Sequence, residues 1–164
     1  MHTTLRSLRP LAAAALFGIA ASASAQSTGT TTLTVSSTLS ASCSVAAGVL
    51  SFGTNVPTPM TAAIDATTTI TATCSNGRPY TVGLNQGGGT GATEVLRRMS
   101  GSGGTVDYAI YQDAGRTTVW GTGTSAVSLT GNGLPQALPV YGRMPMQNAS
   151  PGTYADSVTV TVTF

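Results

Sequence analysis

From Thr153 to Phe164 the chain alternates at every residue. Tyr154, Asp156, Val158, Val160, Val162 and Phe164 share one parity, and Thr153, Ala155, Ser157, Thr159, Thr161 and Thr163 the other. Side chains change face at each step of an extended chain, so this period of two predicts a half-buried strand and is incompatible with a helix. A looser version lies near the other end, where Leu33, Val35, Leu39 and Ala41 share a parity with Ser37 among them. Further strands are predicted at Val49–Phe52, Thr68–Cys74, Tyr80–Leu84, Val106–Tyr111, Val127–Leu129 and Leu138–Arg143. Turn signals separate them, among them Asn76-Gly77, Gly101 to Gly104, Gly131-Asn132-Gly133 and Ser150-Pro151-Gly152. Many short strands punctuated in this way predict an all-β antiparallel sandwich.

Composition supports this and removes several kinds of chemistry. Threonine, serine and glycine make up about 43% of residues 26–164, which favours pleated strands and tight turns over helices. The chain has no lysine, its one histidine is His2, and charged residues are only 7% of the whole. From residue 26 onward five arginines balance five acids, so no basic footprint for nucleic acid exists. A phosphate loop of the Walker type lacks its lysine, and Gly89-Thr90-Gly91 has neither the spacing nor the helix of a nucleotide cradle. Histidine-dependent triads and zinc sites are excluded likewise, so neither cofactor nor metal is expected.

Residues 1–25 have the form of a secretory leader. Arg6 and Arg9 precede a short apolar run, Leu11 to Ala21, and Ala23-Ser24-Ala25 is an A-x-A cleavage site before Gln26. The run is about half the ~20 residues needed to span a bilayer, so no membrane span is expected. Export places Cys43 and Cys74 in an oxidising compartment, where two cysteines most simply pair. That disulfide would close a loop of about 31 residues, worth roughly 3–4 kcal/mol on the chain-entropy model. A metal site has too few ligands, and the spacing is far from the C-x-x-C of redox pairs.

The stripe Leu33, Val35 and Leu39 poses a physical problem. Nothing in the polar stretch 26–32 covers it, and each exposed side chain forgoes roughly 1.5–3 kcal/mol of burial. It therefore has to dock, either in its own sandwich or as a strand added to another copy. The pattern running to Phe164 raises the complementary expectation of an open sheet edge.

The order of several short motifs resembles the spore coat protein U domain family, which includes the subunits of Csu-type (archaic) chaperone–usher pili. The matching pieces are Cys43-Ser44-Val45, Leu50-Ser51-Phe52-Gly53 and Cys74-Ser75-Asn76-Gly77-Arg78-Pro79-Tyr80. They continue with Arg98-Met99, the run from Asp107 to Asp113, Trp120-Gly121, Val140-Tyr141-Gly142-Arg143 and the stretch from Gly152 to Phe164. The resemblance implies an incomplete immunoglobulin-like sandwich whose final strand is missing and whose N-terminal extension is a donor strand. It divides the chain into a signal peptide (1–25), a donor-strand extension (26–41) and the pilin-like domain (42–164). In such pili a periplasmic chaperone fills the gap, an outer-membrane usher guides assembly, and the next subunit's extension replaces the chaperone strand. Carried over, Leu33, Val35, Ser37 and Leu39 would form the donor face, and Val158, Val160, Val162 and Phe164 the edge of the acceptor groove and the chaperone-facing strand. The implied function is a structural subunit within a surface fimbrium that supports adhesion or biofilm formation. A self-contained secreted binding module, such as a sugar-binding or coat protein, is the alternative; residues 33–39 would then pair within their own chain.

Other residues carry weaker signals. Arg97-Arg98 reads as a solvated strand end near Glu94 rather than a site for an acidic ligand. Tyr108, Tyr111, Trp120 and Tyr141 read as large core residues in preference to a sugar platform. Asp107 and Asp113, the acids closest in sequence, would lie about 20 Å apart in extended chain and so are poorly placed for paired catalysis. The Asn148-Ala149-Ser150 sequon is assigned no role.

Overall fold

The structure, a computed structural model, describes residues 26–164, so the leader predicted for residues 1–25 lies outside the described residues. The chain divides into two units, Met1–Ser37 and Thr38–Phe164. Of the first, residues 26–37 carry no regular secondary structure and are exposed throughout. The second holds nine strands: β1 (Cys43–Ala47), β2 (Ile64–Cys74), β3 (Pro79–Leu84), β4 (Arg97–Gly101), β5 (Gly104–Tyr111), β6 (Val127–Thr130), β7 (Gln136–Met144), β8 (Tyr154–Ala155) and β9 (Val160–Thr163). They form a six-stranded sheet in the order β1-β2-β7-β5-β4-β8 and a three-stranded sheet β6-β3-β9, with every ladder antiparallel. The fold is an immunoglobulin-like β-sandwich.

Alternation builds the core. Ile70, Ala72 and Cys74 on β2, Tyr80, Val82 and Leu84 on β3, Val106, Tyr108 and Ile110 on β5, and Leu138, Val140 and Met144 on β7 are all buried. Intervening positions on β2 are the hydroxyls of Thr67, Thr69, Thr71 and Thr73, which face outward. Pro139 sits in β7 opposite Thr69. A proline in a central strand forfeits a ladder hydrogen bond, but the β5–β7 ladder covers only Ala109–Tyr111 against Arg143–Tyr141. At Pro139, among the described residues, no strand pairs with β7 on that side. Cys43 and Cys74 form the disulfide, directly opposed as one rung of the β1–β2 ladder. The β4–β5 hairpin turns at Ser102-Gly103, and Gly101 is required there because a Cβ would collide with the Thr153 carbonyl oxygen.

Several expectations are corrected. The stripe 33–41 does not form a strand: residues 26–42 are irregular, and Leu33, Val35 and Leu39 are more than four-fifths exposed. Val49–Phe52 belongs to no ladder either. The chain leaves β2 after Gly48, whose amide still reaches the Thr69 carbonyl, yet Leu50 and Phe52 pack against the core while Val49 and Ser51 face out. The run 153–164 is two strands, β8 in one sheet and β9 in the other, although its in–out burial persists from Tyr154 to Val162. Period two reports which side meets the core, and burial alone does not dictate which neighbour supplies the hydrogen bonds.

Arg97 departs furthest from expectation. It is fully buried rather than solvated, and it begins strand β4. Its Nε donates to the Asn85 carbonyl at 2.9 Å, Nη1 to Glu94 at 2.7 Å, and Nη2 to Leu84 at 3.1 Å and Trp120 at 2.7 Å. These are main-chain acceptors at strand ends, and a guanidinium's planar fork satisfies four of them at once. Burial lowers the Arg97 pKa, opposed by the nearby Tyr108, Glu94 and Asp156. Arg98 points outward and pairs with Asp107 at 2.9 Å. Tyr108 and Trp120 are core residues as expected, the Trp120 indole donating to the Val82 carbonyl at 2.9 Å. Tyr111 and Tyr141 are half-buried, the latter under the Arg116 guanidinium at 5.9 Å.

Candidate functional site

The two sheets do not close against each other along their whole length. A groove of about 770 Å³ opens between them, and its floor is the core itself: Ile70, Leu84, Val106, Tyr108, Ile110, Val140 and Met144. One wall is the irregular segment from Gly48 to Thr54, which turns Leu50 and Phe52 inward. Phe52 meets Tyr108 edge-on, with ring centroids 5.9 Å apart. The other wall runs from Thr153 to Val160, through the crossover between sheets and into β9. A groove this size lies in the range of binding pockets, about 300–1,000 Å³.

The second wall presents, on its open side, main chain that no strand pairs among the described residues. β9 pairs only with β3 among the described residues. The Asn85 amide donates to the Thr159 carbonyl at 3.2 Å, while the Leu84 amide turns away to Gly121 at 3.0 Å. Bonded residues alternate along an antiparallel ladder, so Val158, Val160 and Val162 direct their N–H and C=O groups toward the open side. Their side chains are half-buried and packed against the core. An apolar floor beside a row of free main-chain donors and acceptors is the chemistry that receives an extended peptide.

One carboxylate enters this apolar setting. Asp156 accepts from the Tyr108 hydroxyl at 2.6 Å, the Gly88 amide at 2.7 Å and its neighbour Ser157 at 2.8 Å. Burial, reinforced by that carboxylate, pushes the Tyr108 phenol well above the usual tyrosine range, so it remains a donor. The crossover is held further by Asn85, whose side-chain oxygen accepts from the Thr159 and Gly87 amides at 2.8 and 3.1 Å. Among the described residues no group of three or more His, Cys, Asp or Glu is placed to hold a metal ion, and no helix is long and apolar enough to cross a membrane.

A sequence model of the Spore Coat Protein U domain matches residues 29–161. The chain belongs to this family. Protein U of Myxococcus xanthus is 34% identical over 129 residues, covering 71% of this chain and 72% of that protein. Among solved structures, the chain resembles one in the crystal structure of the CsuC–CsuE chaperone–tip adhesion subunit pre-assembly complex from the archaic chaperone–usher Csu pili of Acinetobacter baumannii. The TM-score is 0.57 with 25% identity, over 76% of this chain and 40% of the other. This chain thus spans less than half the length of that one.

Within the spore coat U domain the residues singled out from sequence are distributed unevenly. Val158 and Val160 line the groove; Val162 lies farther along β9, outside the lining, and Phe164 is 48% exposed. Leu33, Val35 and Ser37 fall in the exposed, irregular 26–37 unit, and Leu39 edges a shallow depression with Ser40, Ala41 and residues 75–78. Asp107 and Asp113 serve separate local tasks: the first pairs with Arg98, and the second accepts from the Thr117 and Thr118 amides to hold a turn. The Tyr108–Asp156 pair and the Leu50–Phe52 wall were not foreseen. A lone acid on the apolar face of the 154–164 stripe was the available signal for the first.

Proposed function

We propose that this chain is a structural subunit of a surface fibre of the chaperone–usher kind. Its groove holds a strand from a periplasmic chaperone during transit and then the N-terminal extension of a neighbouring copy or related subunit. The observation that carries this is the groove itself, a slot floored by the hydrophobic core and bordered by the unpaired edge of β9. The extension 26–41 supplies a matching alternating stripe, Leu33, Val35, Ser37 and Leu39, left exposed in the single chain. An apolar stripe in water and an open edge beside an apolar slot are each costly alone, and strand addition between copies removes both costs.

On this basis residues 1–25 are a signal peptide, 26–41 the donor extension and 42–164 the acceptor domain. The route runs through the inner membrane, past an outer-membrane usher and onto the cell surface as a fimbrium, where the fibre serves adhesion or biofilm formation. The subunit acts by assembly, and no catalytic role is assigned. Deletion of Gln26–Ser40 tests the proposal: the shortened chain is expected to bind chaperone but to join no neighbour as donor. Full-length polymers formed from that deletion alone would overturn it.

A further inference from the structure

Resting on that strand-exchange proposal, we infer the register of the exchanged strand: Ser37 of one copy sits opposite Asp156 of the next. Every ladder in the domain is antiparallel, and we take the added strand to run antiparallel to β9 as well. Directly opposed residues in such a pair place their side chains on the same face. The inward face of the groove wall reads Tyr154, Asp156, Val158, Val160, and that of the extension reads Leu33, Val35, Ser37, Leu39. Each stripe has one polar member.

Only one alignment matches them. With Ser37 opposite Asp156, Val35 meets Val158 and Leu33 meets Val160, while Leu39 falls past the crossover, toward Tyr154 in β8. A shift of two residues one way puts Leu39 against the carboxylate and leaves the Ser37 hydroxyl over Val158. The opposite shift puts Val35 against the carboxylate. Both leave a polar group facing an apolar one inside the groove, which costs free energy when no partner is at hand. Asp156 also has capacity to spare. It accepts from Tyr108, Gly88 and Ser157, whereas an ionised carboxylate offers about four lone-pair positions. Asp156 is thus the residue that selects a short hydroxyl at this point of the donor, and Ser37, the apparent flaw in an apolar stripe, is its register mark.

Cross-linking of the full chain tests this. In the inferred register the outward residues Ser36 and Ser157 face each other in a non-hydrogen-bonded pair, about 4.5 Å between Cα atoms and within disulfide reach. The native cysteines are already paired to each other. Copies carrying Ser36→Cys, mixed during assembly with copies carrying Ser157→Cys, are expected to give a covalent dimer on mild oxidation; Ala155→Cys or Thr159→Cys in place of Ser157→Cys should not. A dimer with position 155 or 159 instead overturns the register and leaves strand exchange standing. No dimer with any of the three overturns both. A second measurement reads sign: Ser37→Val is expected to speed subunit dissociation in denaturant about tenfold through the lost hydroxyl–carboxylate bond, although it makes the donor more apolar. Slower dissociation would place Ser37 over a valine and overturn the register.

Discussion

The Tyr108 hydroxyl donates to Asp156 Oδ2 at 2.6 Å. This single bond ties the floor of the groove to the segment that carries the chain from one sheet to the other. Tyr108→Phe keeps the ring and its edge contact with Phe52 but removes the donor. Hydrogen bonds to charged groups are worth about 1.5–3 kcal/mol, and a loss of that size is expected in urea unfolding at neutral pH. An unchanged midpoint would mean that the carboxylate finds solvent instead.

Arg97 holds four main-chain carbonyls and has no carboxylate partner among the described residues. Arg97→Met fits the space yet strands those acceptors in the core, so a loss of at least about 3 kcal/mol is expected. Arg97→Lys should recover little, because an ammonium is a point donor without the planar fork. Thermal melting of both variants checks this; a lysine variant as stable as the parent would refute the fork geometry.

Reduction of Cys43–Cys74 frees a link spanning 31 residues. The chain-entropy model puts its contribution at roughly 3–4 kcal/mol. Melting with and without a thiol reductant should reveal a loss of that order, with β1 released first because among the described residues it pairs only with β2.

Stability should fall in acid through three carboxylates whose pKa values folding depresses, one of them Asp113, held down by hydrogen bonds from the Thr118 and Thr117 amides. Asp65 is lowered from its ordinary 3.8 by the Arg143 hydrogen bond and by Arg116 and Arg143 charge. Glu94 is lowered from 4.5 by its hydrogen bonds from Thr122 and by Arg97 charge. A depressed carboxylate contributes stability above its unfolded pKa and loses it as pH falls through the lower folded value. Unfolding free energy should therefore be flat between about pH 5 and 7 with respect to these groups and decline below about pH 4.5. Asp65 and Glu94 are partly exposed, so Asp65→Asn should remove only a few tenths of a kcal/mol of that decline. A titration with an unaltered acid limb in the variant would contradict the assignment.

Val35→Asp tests the donor face independently of register. An unpaired carboxylate forced into the apolar groove should weaken joining between copies by at least about tenfold while leaving the melting of a single subunit unchanged. Equal weakening of both would point to a role for Val35 inside its own molecule.

How much of this was legible beforehand follows from what kind of signal each feature leaves. The alternation in β2, β3, β5 and β7, the glycine turns and the cysteine pair were readable because each rests on local chain geometry: two faces per strand, positive φ in tight turns, and export chemistry. Motif order brought the immunoglobulin-like class within reach. Burial at Val158 was equally legible, since period two marks a side that meets apolar neighbours whether or not a ladder forms there.

Which neighbour each strand pairs with was settled only by the fold. Residues 153–164 are one uninterrupted stripe in sequence, yet Tyr154 bonds into one sheet and Val160 into the other. The change of sheet depends on Asn85, Gly88 and Tyr108, far away along the chain. Arg97 looked like a solvated cation because a residue's charge says nothing of the carbonyls that distant strand ends leave around it. The groove is the same case on a larger scale. It exists because two sheets meet along part of their length, a relation among segments more than one hundred residues apart, whereas a sequence pattern records only what each residue needs from its immediate surroundings.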